Sequence, residues 1–464
     1  MSITRYSASA DTTISNAFQP NLVTRATGSN MGAADSLEIF SIYGQATTSS
    51  LEASRVLIKF PIDSLQSDIN GGIIPSNSSY FLNLYNVRHS ETLPTQFTVE
   101  IKPVSGSWSE GVGLDMEEYT DIDYANWISG TSTTGWINQG GDYYTGYTKT
   151  AYFDKGNEDL SVNITDIVGL WLSGTIPNNG LGIMLSSSQE SSTLRSYYTK
   201  KFSARSSEYW FKRPNLEVRY PDAKFDDRGN FFASSSLASA SDNLNTLYLY
   251  NYVRGKLSDI PSVGQGNIYV DLYDSGSNSK INATAFTGGW CSNGIYSASV
   301  YANTSASYLY DVWYVGTDQF HTGSSITVRN FNSSDYIPNE KRIISITNLK
   351  ELYSSNEIYT FRLYVRNYDW SPNIYTVATK DIEKEYLKNL YYRVYRVADG
   401  LEVIAHNATS STQHTNVSYD LQGNYFKLDM RLFEPGYMYA INFYEKNDNN
   451  NIVMLSGDFK FRVE

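Results

Sequence analysis

DLSVNITDIVGLWLSGTIPNNGLGIML, residues Asp159–Leu185, is the stretch from which the fold of the first half of this chain is read. Leu160, Val162 and Ile164 alternate as in a strand. Thr165 and Asp166 are placed to cap a short helix over 166–174, with Ile167, Leu170 and Trp171 on one face at i, i+3, i+4. Gly174 and then Pro177 are stop signals. Asn178-Asn179-Gly180 reads as a turn, and Leu181, Ile183 and Leu185 open a half-buried strand. A strand, a short helix, a tight turn and a second strand make a plug that closes one end of a β-sandwich. An ordinary amphipathic helix in a mixed fold is the alternative.

Working outward, the 464 residues suffice for about three domains at ~150 residues each. With 41% apolar residues a core can be buried, which argues against wholesale disorder. The 39 Tyr, 20 Phe and 8 Trp stand among many Ser, Thr and Asn, and runs of strong helix formers are scarce, so the class is all-β. The net charge of −12 argues against wrapping nucleic acid, whose phosphates need clustered Lys and Arg. The basic residues Lys200, Lys201, Arg205, Lys212 and Arg213 are mixed with aromatics in what reads as a strand pair. Cys291 is the single cysteine, so no intrachain disulfide or cysteine metal knuckle can form. No apolar run is long enough to span a bilayer, and MSITRYSASADTT carries no stretch of signal-peptide length. The expectation is synthesis and folding in a cytoplasm.

The opening 1–222 contains eight or more short strands, which fits a jelly-roll sandwich of two sheets. Among them are Ser54–Pro61, with Val56, Ile58 and Phe60 on one face, Tyr80–Tyr85, Phe97–Val104 and Tyr198–Arg205. The order of pieces is informative: Asp11–Ile14, Asn30–Leu37, Arg55–Phe60, Leu82–Tyr85, Trp108-Ser109-Glu110, Trp127, Trp136, Val162–Trp171, Asn179–Leu181 and Arg213–Val218. In that order they resemble the DNRLRE family of β-sandwich modules, over about residues 1–220. The resemblance implies a sandwich fold. It also implies a setting, since such modules occur in cell-surface and polysaccharide-associated proteins and in structural proteins of tailed bacteriophages, those of marine contractile-tailed phages looking most similar.

Residues 223–331 and 332–464 read as two Ig-like β-sandwiches without disulfides. Strands of period two are expected at 247–252, 268–273, 294–300 and 308–315, then at 342–346, 358–366, 390–397, 426–432, 437–444 and 452–463. Phe231 and Phe232 mark a connection that docks, and Asp399-Gly400 sits at a hairpin position.

Each candidate chemistry has a plainer reading beside it. Asp115, Glu117, Glu118, Asp121 and Asp123 crowd one loop, and a hard cation such as calcium takes several oxygens from one loop. The spacing departs from the EF-hand and Tyr119 interrupts it, which favours a solvated acidic loop. Glycoside hydrolysis needs two carboxylates across a cleft, and Glu110 with Asp115 or Glu117 could supply them. Trp136, Tyr143 and Tyr144 could stack on sugars, whereas Trp108 and Trp127 are expected to pack the sandwich core. His89, His321, His406 and His414 are too scattered to form a ligand set, no nucleophile-elbow sequence is present, and Cys291 reads as a small buried residue. Taken together, these features imply a non-enzymatic structural protein of a tailed-phage virion. It would be an accessory or decoration protein on a capsid, neck or tail surface, bound to other virion proteins in a lattice or ring. A carbohydrate-binding adhesin for a host-surface glycan is the first alternative, and a polysaccharide-degrading enzyme the second.

Overall fold

The computed structural model describes residues 2–88, 93–114, 124–191, 195–331, 340–370, 384–407, 413–447 and 449–464. The chain is all-β and forms two compact units. One comprises Ile3–Asn70 and Ser76–Tyr220, the other Met1–Ser2, Gly71–Pro75 and Pro221–Glu464.

The first unit is a sandwich of two sheets. Its strands are β1 (Ile3–Ser7), β2 (Ala10–Ser15), β3 (Ser36–Tyr43), β4 (Leu51–Lys59), β5 (Ser79–Leu84) and β6 (Phe97–Pro103). They continue with β7 (Lys149–Phe153), β8 (Leu160–Asn163), β9 (Leu181–Leu185), β10 (Ser196–Ser203) and β11 (Asn215–Arg219). One sheet runs β1-β11-β5-β8. The other runs β10-β3-β4-β9-β6-β7, with β2 also paired to β4. The strand expected to be half-buried, β9, is buried at every position, because β4 and β6 flank it and both its faces are covered. Gly182 makes this fit: the Tyr143 ring lies where its Cβ would be, so any larger residue there would collide with the ring.

The plug is present, with changes in detail. Its helix, α2, spans Thr165–Leu172, and Ile167, Val168 and Trp171 are its buried residues. Leu170, expected on that face, is only half-buried, because the helix turns Val168 inward instead. Thr165 and Asp166 do not cap it; the N-cap position is Ile164. Asn163 satisfies the helix start, its Oδ1 accepting from the Thr165 N–H at 3.0 Å and from Oγ1 at 2.7 Å. Thr165 Oγ1 in turn accepts from the Tyr80 N–H at 2.9 Å, which ties the plug to β5. Asp166 pairs with Lys149 at 2.7 Å across the surface. The turn behind the helix is a junction. Asn178 Nδ2 donates to the Phe60 carbonyl at 2.9 Å, Asn179 Nδ2 to that of Ser105 at 3.0 Å, and Trp108 Nε1 to that of Asn179 at 2.7 Å. A second helix, α1 (Ile62–Asn70), follows Pro61 and buries Ile62 and Leu65; the i, i+3, i+7 spacing of Ile62, Leu65 and Ile69 is its signal in the sequence.

In the second unit, residues 223–331 form an eight-stranded sheet and a two-stranded one, Tyr252–Val253 with Lys256–Leu257. The larger sheet runs Phe231–Phe232, Ile326–Arg329, Tyr308–Val315, Asn267–Asp274, Phe286–Ser292, Ile295–Val300 and Asn245–Tyr250, with Asp318–Thr322 beside Tyr308–Val315. The sheet curls around a core of Phe231, Leu247, Val270, Tyr296 and Trp313, to which strands from both of its ends contribute. Asn245 links those ends, accepting from the Phe232 N–H and donating to its carbonyl, both at 2.9 Å. Residues 332–464 give a four-stranded sheet (Arg342–Ile346, Ile358–Asn367, Gly423–Asp429, Ser418–Asp420) and a five-stranded one (Leu352–Tyr353, Ile452–Val463, Met438–Lys446, Leu390–Arg396, Glu402–Ile404). Between these sheets Phe361, Phe426, Phe433 and Phe461 pack in stacked and edge-on pairs. Residues 223–331 and 332–464 lie in one compact unit. Their connection is pinned by Tyr419, whose hydroxyl donates to Asp227 Oδ1 at 2.6 Å and whose carbonyl accepts from the Asp226 N–H at 3.0 Å.

Two measurements check the plug. Trp171 is 6% exposed, so Trp171→Ala should cost about 3–5 kcal/mol through lost burial and a cavity, seen as a large drop in the melting temperature of the first unit. An unchanged melt would remove Trp171 from the core. Gly180 and Gly174 both have positive φ, +81° and +70°, but only at Gly180 would a Cβ collide with a backbone carbonyl, that of Ile58. Gly180→Ala should therefore destabilise clearly more than Gly174→Ala in parallel denaturant titrations.

Candidate functional site

Glu110, the carboxylate that glycoside hydrolysis would use, is held in a polar knot. Its Oε1 accepts from the Asp11 backbone N–H at 2.8 Å, and Arg205 donates to both of its oxygens, at 3.0 and 2.7 Å. The Arg205 N–H donates to Asp11 Oδ2 at 2.6 Å. Asn30 completes the knot, with Nδ2 donating to the carbonyls of Glu110 at 2.7 Å and Ala125 at 2.8 Å, and Oδ1 accepting from the Gly32 and Gly113 N–H groups at 3.0 and 3.3 Å. Asp11 is almost completely buried, and burial pushes its carboxyl up to about 7. The knot fastens the segment leading into the acidic loop to β2. Asp115, Glu117, Glu118, Asp121 and Asp123 themselves lie outside the described residues, and so does His89.

The aromatic trio proposed for sugar stacking is divided. Trp136 and Tyr143 pack with Trp108 against a small core of Ile14, Ala53, Leu57, Val104, Ala125 and buried Trp127. Trp136 Nε1 donates to the Asn126 carbonyl at 2.9 Å, and the Tyr143 hydroxyl donates to that of Gly140 at 2.7 Å. Arg55 lies over Trp127 and Tyr143, with its guanidinium held to Glu190 at 2.7 Å and to the Gly140 carbonyl at 2.9 Å. Burial pushes the Tyr143 hydroxyl up to about 12. Tyr144 is half-buried, its N–H donating to the Pro103 carbonyl at 2.9 Å. These rings therefore stabilise the loops that carry them.

A different aromatic group is presented by the second unit. On strands Asn267–Asp274 and Tyr308–Val315 the residues facing away from the core are Tyr269, Asp271 and Tyr273, opposite Tyr314, Val312 and Tyr310. Tyr273 and Tyr310 stack at 5.3 Å, and Tyr269 lies 6.2 Å from Tyr314. The four rings surround Asp271, which accepts from Asn282 Nδ2 at 2.8 Å, pairs with Lys280 at 2.9 Å and is hydrogen-bonded by the Tyr314 hydroxyl. Each tyrosine was visible in the sequence at period two, but only the register of the two strands makes them neighbours.

Other groups are engaged in structure. A cleft of about 980 Å³ in the second unit is lined by Arg228, Arg329, Arg342, Arg362 and Lys384. Three of these guanidinium groups are committed: Arg228 to Asp311 at 2.5 Å, Arg342 to Glu340, Glu385 and Glu445, and Arg362 to Asp420 at 2.7 Å. His406 stacks on Tyr444 at 4.3 Å and His414 Nδ1 lies 2.9 Å from Asn407 Nδ2. Among the described residues, no group of three or more His, Cys, Asp or Glu is placed to hold a metal ion. Cys291, expected to be buried, is exposed, because the register shift between Trp290 and Ser292 turns it outward.

No family model matches the chain, and no curated protein matches it significantly. Solved structures similar to it include a marsupial T cell receptor, 10% identical over 51% of this chain and 71% of that one, with a TM-score of 0.17. The titin Z1Z2 domains, solved in complex with telethonin, are 12% identical over 50% of this chain and 91% of theirs, with a TM-score of 0.14. A Ca2+-stabilized adhesin that helps an Antarctic bacterium bind ice is 8% identical over 98% of this chain and 100% of that one, with a TM-score of 0.15. At such scores these likenesses carry no argument about what this chain does.

The raised Asp11 carboxyl has a sign that can be measured. Between its unfolded value of 3.8 and about 7 the folded chain holds a proton that the unfolded chain has lost, so stability falls as pH rises through that window. Asp11→Asn should remove this component, flattening the slope by up to about 2–4 kcal/mol between pH 4 and pH 7 in urea titrations of both proteins. Parallel slopes for the two would show that Asp11 is ionised throughout.

Proposed function

We propose that this chain is a non-enzymatic structural protein that works through contacts made by its surfaces, and that its place is the outside of a tailed-bacteriophage virion. The carrying observation is the state of Glu110: the carboxylate that hydrolysis would need is committed to Arg205 and to the Asp11 backbone. What the surfaces offer instead is aromatic contact area. Tyrosine suits such a role because each ring brings a large contact area at small entropic cost. The resemblance of residues 1–220 to DNRLRE modules supports the virion placement, as an accessory protein on capsid, neck or tail. Many weak contacts to a repeating lattice would then hold it firmly.

A carbohydrate-binding adhesin is the second reading, favoured by the tyrosines around Asp271 and Lys280, where aromatic surface and hydrogen-bonding groups occur together. One pair of experiments separates the two. Purified chain is added back to virions stripped of it and located by electron microscopy, and the same preparation is applied to a glycan array. Saturable reattachment with a blank array is the expected outcome. Tight glycan binding without reattachment would establish the adhesin in its place, and glycan cleavage that is lost in Glu110→Gln would overturn both.

A further inference from the structure

Lys200 is a buried amine that neither reading above uses. It lies on β10, is 0% exposed, and its Nζ sits 4.8 Å from the Phe153 ring centroid and 5.1 Å from that of Phe202. Nζ donates to the side-chain carbonyl oxygen of Asn86 at 2.6 Å, and to the backbone carbonyls of Gly156 at 2.9 Å and Glu158 at 2.7 Å. Asn86 follows β5, in the other sheet of the sandwich. The chain around it runs antiparallel to β10: Asn86 is bridged to Phe202, the Val87 N–H donates to the Lys201 carbonyl at 3.1 Å, and the Ser203 N–H to that of Tyr85 at 2.9 Å. The Asn86 N–H donates to Asp159 Oδ1 at 2.7 Å. A primary amine and a carboxamide are thus in direct hydrogen-bond contact, in an aromatic pocket where two sheets meet.

We propose that Lys200 and Asn86 join in an intramolecular isopeptide bond that cross-links the two sheets of the first unit. The Nζ lone pair attacks Cγ of Asn86, the bond from Cγ to Nδ2 breaks, and Nδ2 leaves as ammonia carrying the proton that Nζ gives up. Nothing is oxidised or reduced, and no co-reactant is consumed. Burial lowers the Lys200 ammonium to about 8, which supplies neutral amine near neutral pH. Asp159 and Glu158 are the carboxylates whose charge acts on Nζ, opposing the effect of burial.

Intact mass spectrometry of the full chain tests this. The expected mass is lower than that of the sequence by one ammonia. The tryptic digest should contain one branched peptide joining the segments that carry Asn86 and Lys200, uncut after Lys200. Lys200→Arg and Asn86→Ala should each restore the sequence mass. Ring closure at Asn179-Gly180 or Asn293-Gly294 also releases ammonia, but it leaves every peptide linear. Linear peptides carrying Asn86 and Lys200 from the wild-type chain, whatever its intact mass, would overturn the proposal without reliance on the folding of any variant.

Discussion

The first unit depends on one constraint: β9 must be covered on both faces. All five of its residues are buried, and it supplies the hydrogen bonds between β4 and β6. A strand in that position needs a smooth outer face, and Gly182 provides it by admitting the Tyr143 ring. Tyr143 then gives Arg55 a surface to lie on, and Arg55 reaches Glu190 and the Gly140 carbonyl. The turn that delivers the chain into β9 binds the end of β4, the loop after β6 and Trp108 through its asparagine side chains and backbone. The plug, the aromatic loops and the sheet are therefore one cooperative structure.

Polar groups buried in the sandwich follow the rule that a buried charge needs partners. Glu110, Arg205, Asp11 and Asn30 satisfy one another around the base of the acidic segment. This network crosses between elements distant in sequence. It specifies which strands lie together more than it adds net stability, since the desolvation cost offsets much of the attraction.

The two units distribute their polar and aromatic groups differently. Glu110 serves as a structural anchor, and Trp136 and Tyr143 pack loops of the first unit. The second unit holds its tyrosines on the outer face of a curled sheet, around a single ion pair.

The amino-acid sequence by itself determined the all-β class, the strand, helix, turn and strand of residues 159–185, and most strands of the second unit, because period-two burial and turn chemistry are local properties. Strands 342–346 and 452–463 begin and end where the pattern places them. What only the tertiary structure decided concerns the partners of each face. Alternation cannot show that β9 is covered twice, that Asn245 ties Phe232 to the far end of its sheet, or that a register shift exposes Cys291. The candidate site was least legible. Trp136 and Tyr143 carry the same signal whether they pack a loop or face a ligand, and Tyr269, Tyr273, Tyr310 and Tyr314 become one group only when two strands fall into register. Side-chain chemistry is written in the sequence, but proximity between distant residues is created by the packing that buries the core.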